Sequence, residues 1–251
     1  MNYPNQIIKK GSTLKSAVKA IQLRLKELGY LSDTADGVFG NNTSTAVKLF
    51  QAQHVDQQGV SLKADGSVGA ITWAVLFGVE KTPVTTTADS QLGEEIVRIA
   101  KKEVGKMEKP AGSNSGPDIK KYFDSVDIAQ GYAWCVCFTY WCINQACANI
   151  GVTNKMPRTA GVLAHWNTTK AKKILAADAK NNPSLVKPGQ FFMMKMGRVT
   201  GHTGIVTAVS GGFIECIEGN TNDGGSREGV GVFARKRKIA DINLGFIEYK
   251  K

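Results

Sequence analysis

At residues 134–142 the chain reads Trp134-Cys135-Val136-Cys137-Phe138-Thr139-Tyr140-Trp141-Cys142. This apolar run predicts a buried helix that begins at Cys135, with Phe138 and Cys142 on the same face behind it. The positive end of the helix dipole favours a thiolate over a thiol. Cys135, at the start of the helix, is therefore at the position where the dipole lowers the pKa of a nucleophilic thiol most. A lone cysteine in an apolar helix is more often an inert core residue. The assignment therefore depends on other parts of the chain.

A histidine and two polar residues farther along supply candidate partners for this thiol. Residues 201–206 read Gly-His-Thr-Gly-Ile-Val, in which His202 is flanked by glycines at the start of a buried strand. A general base at this place could deprotonate Cys135. The next strand-like run ends in polar groups, so either Glu218 or Asn220 could bind the second imidazole nitrogen and fix its tautomer. Each element alone is a weak signal, but their order along helix, strand and next strand favours a catalytic triad.

The part of the chain around these residues predicts an α+β fold. Helical patterns come first, from Leu92 to Val104 and from Ile119 to Phe123, and strand-like runs fill the C-terminal part. Helices followed by an antiparallel sheet define this class. Residues 81–91 are polar and unpatterned, as in an interdomain linker. We therefore expect a domain over residues 1–80, a linker over 81–91 and a second domain over 92–251.

The N-terminal part predicts a small all-α domain of three helices. Residues 14–30 carry apolar side chains at helical spacing, followed by a glycine stop. Asp36-Gly37-Val38-Phe39-Gly40 then forms a turn signal before a second helical run, and Asp65-Gly66-Ser67-Val68-Gly69 repeats the signal before a third. Two copies of a turn followed by a helix indicate a compact bundle.

The composition indicates an anionic partner without naming it. The chain has 251 residues with 32 Lys and Arg against 21 Asp and Glu, a formal net charge of +11. Such an excess suits nucleic acid, a membrane surface or an acidic wall polymer. The basic run at residues 235–238 follows a strand and is interpreted as a solvated edge that blocks strand pairing. We therefore expect no nucleic acid.

Cysteine and histidine usage argues against disulfides and metals. The five cysteines are an odd number and crowd together, which indicates free thiols in a reducing compartment. Only three histidines are present, and no His-Glu-x-x-His motif occurs. The possible calcium ligands lack an alternating pattern at Asp118, Asp124 and Asp127. We expect no metal and no cofactor, and we expect His165 to pack against an aromatic ring, with a substrate contact as the alternative.

The N-terminal motifs resemble the peptidoglycan-binding type 1 domain over nearly all of residues 12–78. The residues that carry the resemblance are Gln22, Leu25, Gly29-Tyr30, Asp36-Gly37-x-Phe39-Gly40, Thr43, Ala46-Val47, Phe50-Gln51, Asp65-Gly66-x-Val68-Gly69 and Thr72-Trp73. The resemblance implies bacterial peptidoglycan as a binding partner.

The C-terminal motifs resemble the CHAP family of cysteine amidases and endopeptidases over about residues 92–250. The matching motifs are Trp134-Cys-x-x-Phe-x-x-Trp-Cys142, Lys187-Pro-Gly-Gln190, Gly201-His-x-Gly-Ile-Val206 and Glu218-Gly-Asn-Thr221. The resemblance implies a papain-like (NlpC/P60-type) fold with Cys135 as nucleophile, His202 as base and Glu218 as the preferred orienting residue. Asn220 would lie beside it. Cys137 stands where the family usually has a small residue, which leaves open that it shares the reactivity.

The two resemblances together predict a peptidoglycan hydrolase that cuts an amide bond, as an N-acetylmuramoyl-L-alanine amidase or a peptide endopeptidase. Alternatives are a non-catalytic wall-binding protein with a CHAP-like scaffold and a cytosolic thiol protease. No signal peptide or membrane span is evident, so we expect a monomer made in the cytoplasm, without membrane insertion, that acts at the wall. A phage-type endolysin or an injected antibacterial effector fits this expectation, and an effector would have an immunity or inhibitor protein as partner.

Overall fold

The computed structural model describes residues 1–221 and 229–250 and divides into two units. One unit comprises Met1–Val84 together with Lys180–Ser184 and Ser210–Phe213, and the other comprises the remaining segments. The first is helical and the second combines helices with an antiparallel sheet, so the chain has the α+β character predicted from the sequence.

The α-helices of the described residues are, in chain order, α1 (Lys15–Glu27), α2 (Asn41–Gln53), α3 (Ala70–Phe77), α4 (Gln91–Glu103), α5 (Pro117–Val126), α6 (Cys135–Asn149), α7 (Val162–Thr168) and α8 (Ala176–Asn181). The strands are β1 (Val84–Thr85), β2 (Lys172–Leu175), β3 (Phe191–Lys195), β4 (Gly201–Ser210), β5 (Phe213–Thr221), β6 (Gly231–Lys238) and β7 (Gly245–Glu248). Short 3-10 turns lie at Val79–Lys81, Pro183–Leu185 and Ile239–Asp241.

Two buried glutamines hold the loops of the N-terminal unit. Gln22 of α1 accepts a hydrogen bond from the Gly37 backbone N–H at 2.8 Å, and Gln51 of α2 accepts one from the Gly66 N–H at 2.9 Å. Each glutamine also donates to an aspartate, a backbone carbonyl and a threonine: Asp36, Val38 and Thr43 for Gln22, and Asp65, Ser67 and Thr72 for Gln51. The duplicated turn seen in the sequence is therefore a duplicated hydrogen-bond network.

Glycine is required at both of these turns because the backbone there is left-handed. Gly37 has φ of 78° and Gly66 has φ of 75°, values that residues with a Cβ adopt only under strain. The helices that follow each turn bury large apolar side chains, Phe50 on α2 and Trp73 on α3. The unit thus closes around one core with the three predicted helices.

The sheet of the second unit runs in the order β2-β7-β3-β4-β5-β6. The pairs of β3 with β4, β3 with β7 and β2 with β7 are all antiparallel. In the register of the central pair, Phe191 lies opposite Ile205 and Met194 lies opposite His202. His202 is therefore the second residue of a central strand.

Helices α4 and α5 pack against α6, which lies over the sheet. The residue before α6, Trp134, is fully buried and stacks on Tyr122 of α5 with ring centroids 5.4 Å apart. Phe138, one turn into α6, contacts the edge of the same tyrosine ring. This aromatic packing fixes the start of α6 and with it the position of Cys135.

Candidate active site

The side chains of His202 and Glu218 form a buried pair between neighbouring strands. His202 Nε2 lies 2.7 Å from Glu218 Oε2, and both residues are almost wholly excluded from solvent. Of the two orienting residues left open by the sequence, the one in contact with the imidazole is Glu218. Because Nε2 is bound to the carboxylate, Nδ1 is the ring nitrogen left to face a reacting group.

Two glycines, one on each of the two strands, allow neighbouring groups to approach the backbone closely around this pair. A Cβ on Gly204 would lie 2.7 Å from Glu218 Cγ, and a Cβ on Gly219 would lie 2.6 Å from Phe138 Cβ. Both distances are shorter than any real Cβ contact. The first glycine makes room for the Glu218 side chain, and the second lets β5 lie directly against the first turn of α6.

Cys135 is the first residue of α6 and is itself buried. His202 Nδ1 is buried and makes no hydrogen bond to any residue that the structure describes, but the thiol is near enough to affect the imidazole. Burial lowers the pKa of His202, yet Cys135 and Glu218 outweigh it and raise that pKa to about 9. The structure thus brings Cys135, His202 and Glu218 together in the order thiol, imidazole, carboxylate.

Arg237 completes the surroundings of Glu218. Its Nε and Nη2 donate to Glu218 Oε1 and Oε2 at 2.5 and 2.6 Å, a bidentate ion pair with a fully buried carboxylate. Burial alone would raise the pKa of Glu218, but Arg237 and His202 lower it to about 2. The interpretation of residues 235–238 as a solvated edge is wrong for Arg237, because its guanidinium points inward to neutralise a buried charge.

The other four cysteines lie within the described residues and are free thiols, as the sequence predicted. Burial raises the pKa of Cys137 to about 12, helped by the neighbouring Cys135. Burial also raises the pKa of Cys142, Cys147 and Cys216. Burial therefore disfavours the thiolate form at these four positions.

Asn220 lies two residues beyond Glu218 on the same strand, in a left-handed conformation with φ of 55°. Its Oδ1 is buried and has no hydrogen-bond partner among residues 1–221 and 229–250. The residue lines a cleft of about 460 Å³ with Asn114, Tyr132 and Ala133, the last two just before Cys135 in sequence. An unsatisfied acceptor in a strained backbone is typical of a functional site.

Glu108 is a buried residue near the site that the sequence analysis missed. Its Oε1 accepts a hydrogen bond from the Trp134 indole N–H at 2.8 Å, and its Oε2 accepts one from the Asn114 backbone N–H at 3.0 Å. The carboxylate thereby joins one wall of the cleft to the residue before Cys135. A glutamate in a polar loop gives no sequence signal of such a role, because the Trp134 indole that it binds is 26 residues away in the chain.

His165 lies apart from the pair of His202 and Glu218. It is buried on α7, stacks on Tyr249 with ring centroids 6.1 Å apart, and its Nε2 lies 2.7 Å from the Tyr249 hydroxyl. Burial lowers its pKa to about 4. The expected packing against an aromatic ring is confirmed.

In the part of the chain that the structure describes, no group of three or more His, Cys, Asp and Glu side chains is placed to hold a metal ion.

None of the described helices combines the length and the apolar character that a membrane crossing requires.

Comparisons with known proteins identify both parts of the chain. A family model described as a peptidoglycan binding domain matches residues 15–76, and a CHAP domain model matches residues 127–220. An uncharacterized protein in the bpoA1 3' region of Kitasatospora aureofaciens is 44% identical over 61 residues, which is 24% of this chain. The chain spans about half, 47%, of that relative's length, and no solved structure matches. The chain therefore combines an N-terminal peptidoglycan-binding domain with a C-terminal CHAP domain.

Proposed function

We propose that the protein is a peptidoglycan hydrolase that cleaves an amide bond of the bacterial wall through Cys135, His202 and Glu218. The observation that carries the proposal is the buried imidazole, which is bound to Glu218 through Nε2 and has its pKa raised by Cys135 as well as by Glu218. A wall-binding domain on the same chain raises the effective concentration of this site at an insoluble polymer.

The chemistry follows from the positions of these groups. His202 takes the proton from Cys135, and the thiolate attacks the amide carbon of the substrate. The backbone N–H of Cys135 lies in the first turn of α6, where N–H groups lack partners within the helix, and it donates to the developing oxyanion. His202 then protonates the leaving amine, which leaves a thioester. Water, activated by the same imidazole, hydrolyses the thioester and restores the thiol.

Glu218 keeps the imidazole in the productive tautomer during this cycle. Its Oε2 accepts a hydrogen bond from the Nε2–H group, which leaves the lone pair on Nδ1 to accept the thiol proton. Asn220 belongs to the same site, because it lines the cleft next to Tyr132 and Ala133 and its buried Oδ1 has no partner among the described residues. We assign to it a contact with substrate. The domain is assigned a papain-like (NlpC/P60-type) fold on its CHAP family match and on the order of helix and sheet.

Purified peptidoglycan provides the first test. The wild type should release soluble fragments, Cys135→Ala should release none, and Cys137→Ala should retain most of the activity because burial raises the pKa of the Cys137 thiol. Equal release by the wild type and Cys135→Ala would refute the mechanism. Binding of the wall without release by either protein would favour the alternative, a non-catalytic wall-binding protein.

Mass spectrometry of the released fragments identifies the bond. An N-acetylmuramic acid end free of peptide means an N-acetylmuramoyl-L-alanine amidase, whereas new amino termini within the stem or crosslink mean an endopeptidase. We place the action of the enzyme at the cell wall, as a monomer of the endolysin or injected-effector kind. Expression in a bacterial cytoplasm, with and without a permeabilised membrane, tests this: lysis should require permeabilisation.

A further inference from the structure

We propose that Arg237 is a positioning residue for the reaction: it holds Glu218 ionised and oriented, so that Glu218 can hold His202. This inference rests on the proposed function. Arg237 touches neither the thiol nor the imidazole in any described contact, and it acts through the carboxylate. Its fork-shaped guanidinium meets both carboxylate oxygens of Glu218, so a rotation of the carboxylate would break two charged hydrogen bonds together.

Four donors from the described residues surround the Glu218 carboxylate. Oε1 accepts from Arg237 Nε and from the Cys216 thiol at 3.1 Å, and Oε2 accepts from His202 Nε2 and from Arg237 Nη2. A carboxylate offers about four lone-pair positions. With all of them occupied, the carboxylate has one orientation, and the His202 ring is oriented by it.

Charge is the second part of the argument. A carboxylate that is fully buried takes up a proton unless a cation compensates it. The groups that face Glu218 are His202 from β4, Cys216 from β5, and Arg237 from β6, with Arg235 of β6 beyond Cys216. Of these, His202 must give and take a proton in each cycle. Arg237 is the cation at hydrogen-bond distance that keeps its charge throughout.

An aromatic ring contacts the guanidinium as well. Arg237 lies over the Phe192 ring of β3, with 5.5 Å between the guanidinium carbon and the ring centroid. A bidentate arginine is not replaced by lysine, because an ammonium group cannot meet two oxygens in a fork. Arg237→Lys should therefore keep the charge and lose the orientation.

The test compares Arg237→Met and Arg237→Lys with Lys236→Met, which removes the same charge from an exposed neighbour on β6. The rate at which iodoacetamide alkylates Cys135 is measured at a series of pH values by peptide mass mapping. The acid limb is the low-pH side of this profile, where the rate rises with pH. Loss of the guanidinium lets Glu218 take up a proton at a higher pH, and a protonated Glu218 no longer holds His202 in the tautomer that accepts the thiol proton. The acid limb of the alkylation profile should therefore move up by about 1–3 pH units in Arg237→Met. It should move less in Arg237→Lys and stay in place in Lys236→Met.

Hydrolysis of purified wall at neutral pH should fall about 10- to 100-fold in Arg237→Met, as for other outer partners of functional imidazoles. An unmoved acid limb in folded Arg237→Met would overturn the proposal, because a purely structural role lowers reactivity at every pH alike. If Arg237→Met does not fold, the acid limb is measured in Arg237→Lys instead, and an unmoved limb in that variant overturns the proposal. Alkylation of Cys135 needs no substrate, so it tests Arg237 independently of wall hydrolysis. If the acid limb shifts in Arg237→Met but the wild type releases no wall fragments, the role of Arg237 is supported and the proposed function is refuted.

Discussion

Replacement of Glu108 tests whether one buried carboxylate holds the cleft wall and the start of α6 in place. Its two oxygens accept from the Trp134 indole and from the Asn114 backbone N–H, at 2.8 and 3.0 Å. Hydrogen bonds to a charged acceptor contribute about 1.5–3 kcal/mol each. Glu108→Leu removes both and leaves two donors without a partner, so it should lower the free energy of unfolding by about 3–6 kcal/mol.

Glu108→Gln separates the two bonds. The glutamine keeps one acceptor oxygen and places an NH2 group against the other donor, so it should cost about 1.5–3 kcal/mol, half of the larger change. Equilibrium denaturation of the full chain measures both values. Glu215→Gln, at an exposed position of β5, is the matched control and should change the free energy by less than about 0.5 kcal/mol.

A double-mutant cycle assigns the energy to the contact itself. Trp134→Phe removes the indole N–H and keeps an aromatic ring in the stack on Tyr122. If the bond to Glu108 carries the effect, the cycle of Glu108→Leu with Trp134→Phe should give a coupling free energy of about 1 kcal/mol or more. Additive changes, with no coupling, would refute the view that the carboxylate acts through this tryptophan.

Three further predictions concern the rest of the structure. Gly219→Ala should lower stability by about 1–3 kcal/mol by overpacking against α6, and it should slow wall hydrolysis, measured as released fragments. Gln51→Leu should lower the unfolding temperature of the N-terminal domain, since a buried donor without a partner costs about 1–3 kcal/mol, and should leave Cys135 alkylation unchanged. The stability that Glu218 and His202 contribute should be complete only between pH 4.5 and 6.5. The lowered pKa of Glu218 makes its share disappear as pH falls from 4.5 toward about 2, and the raised pKa of His202 makes its share disappear as pH rises from 6.5 through about 9. Thermal melts of the wild type minus those of Glu218→Gln should show the largest difference inside that window.

The sequence was informative wherever local pattern determines structure. The helix predicted to begin at Cys135 begins there, and the first helix, predicted over residues 14–30, is found at Lys15–Glu27. Apolar periodicity and a glycine stop are local signals, readable without knowledge of the tertiary fold. The duplicated turns were visible for the same reason, because a left-handed turn requires glycine at a fixed place.

The sequence was uninformative where the partner is distant along the chain. The basic run at 235–238 looks like a solvated edge because nothing nearby shows that β6 lies beside β5, which brings Arg237 onto Glu218. The bond between Glu108 and Trp134, 26 residues apart in the chain, was missed for the same reason. Segments α7, β2 and α8 were also not predicted, because they are short and β2 has a single buried residue that gives no alternation.

The crowding of donors around Glu218 has a kinetic consequence. A carboxylate whose lone pairs all accept hydrogen bonds has no place for a further proton, so in the proposed mechanism Glu218 takes up no proton while His202 transfers one between the sulfur and the leaving amine. Only one proton is then transferred in the transition state of each chemical step. In mixtures of light and heavy water, the rate of hydrolysis should decline linearly with the deuterium content of the solvent. Transfer of a second proton to the Glu218 carboxylate would instead make the plot of rate against deuterium content curve downward.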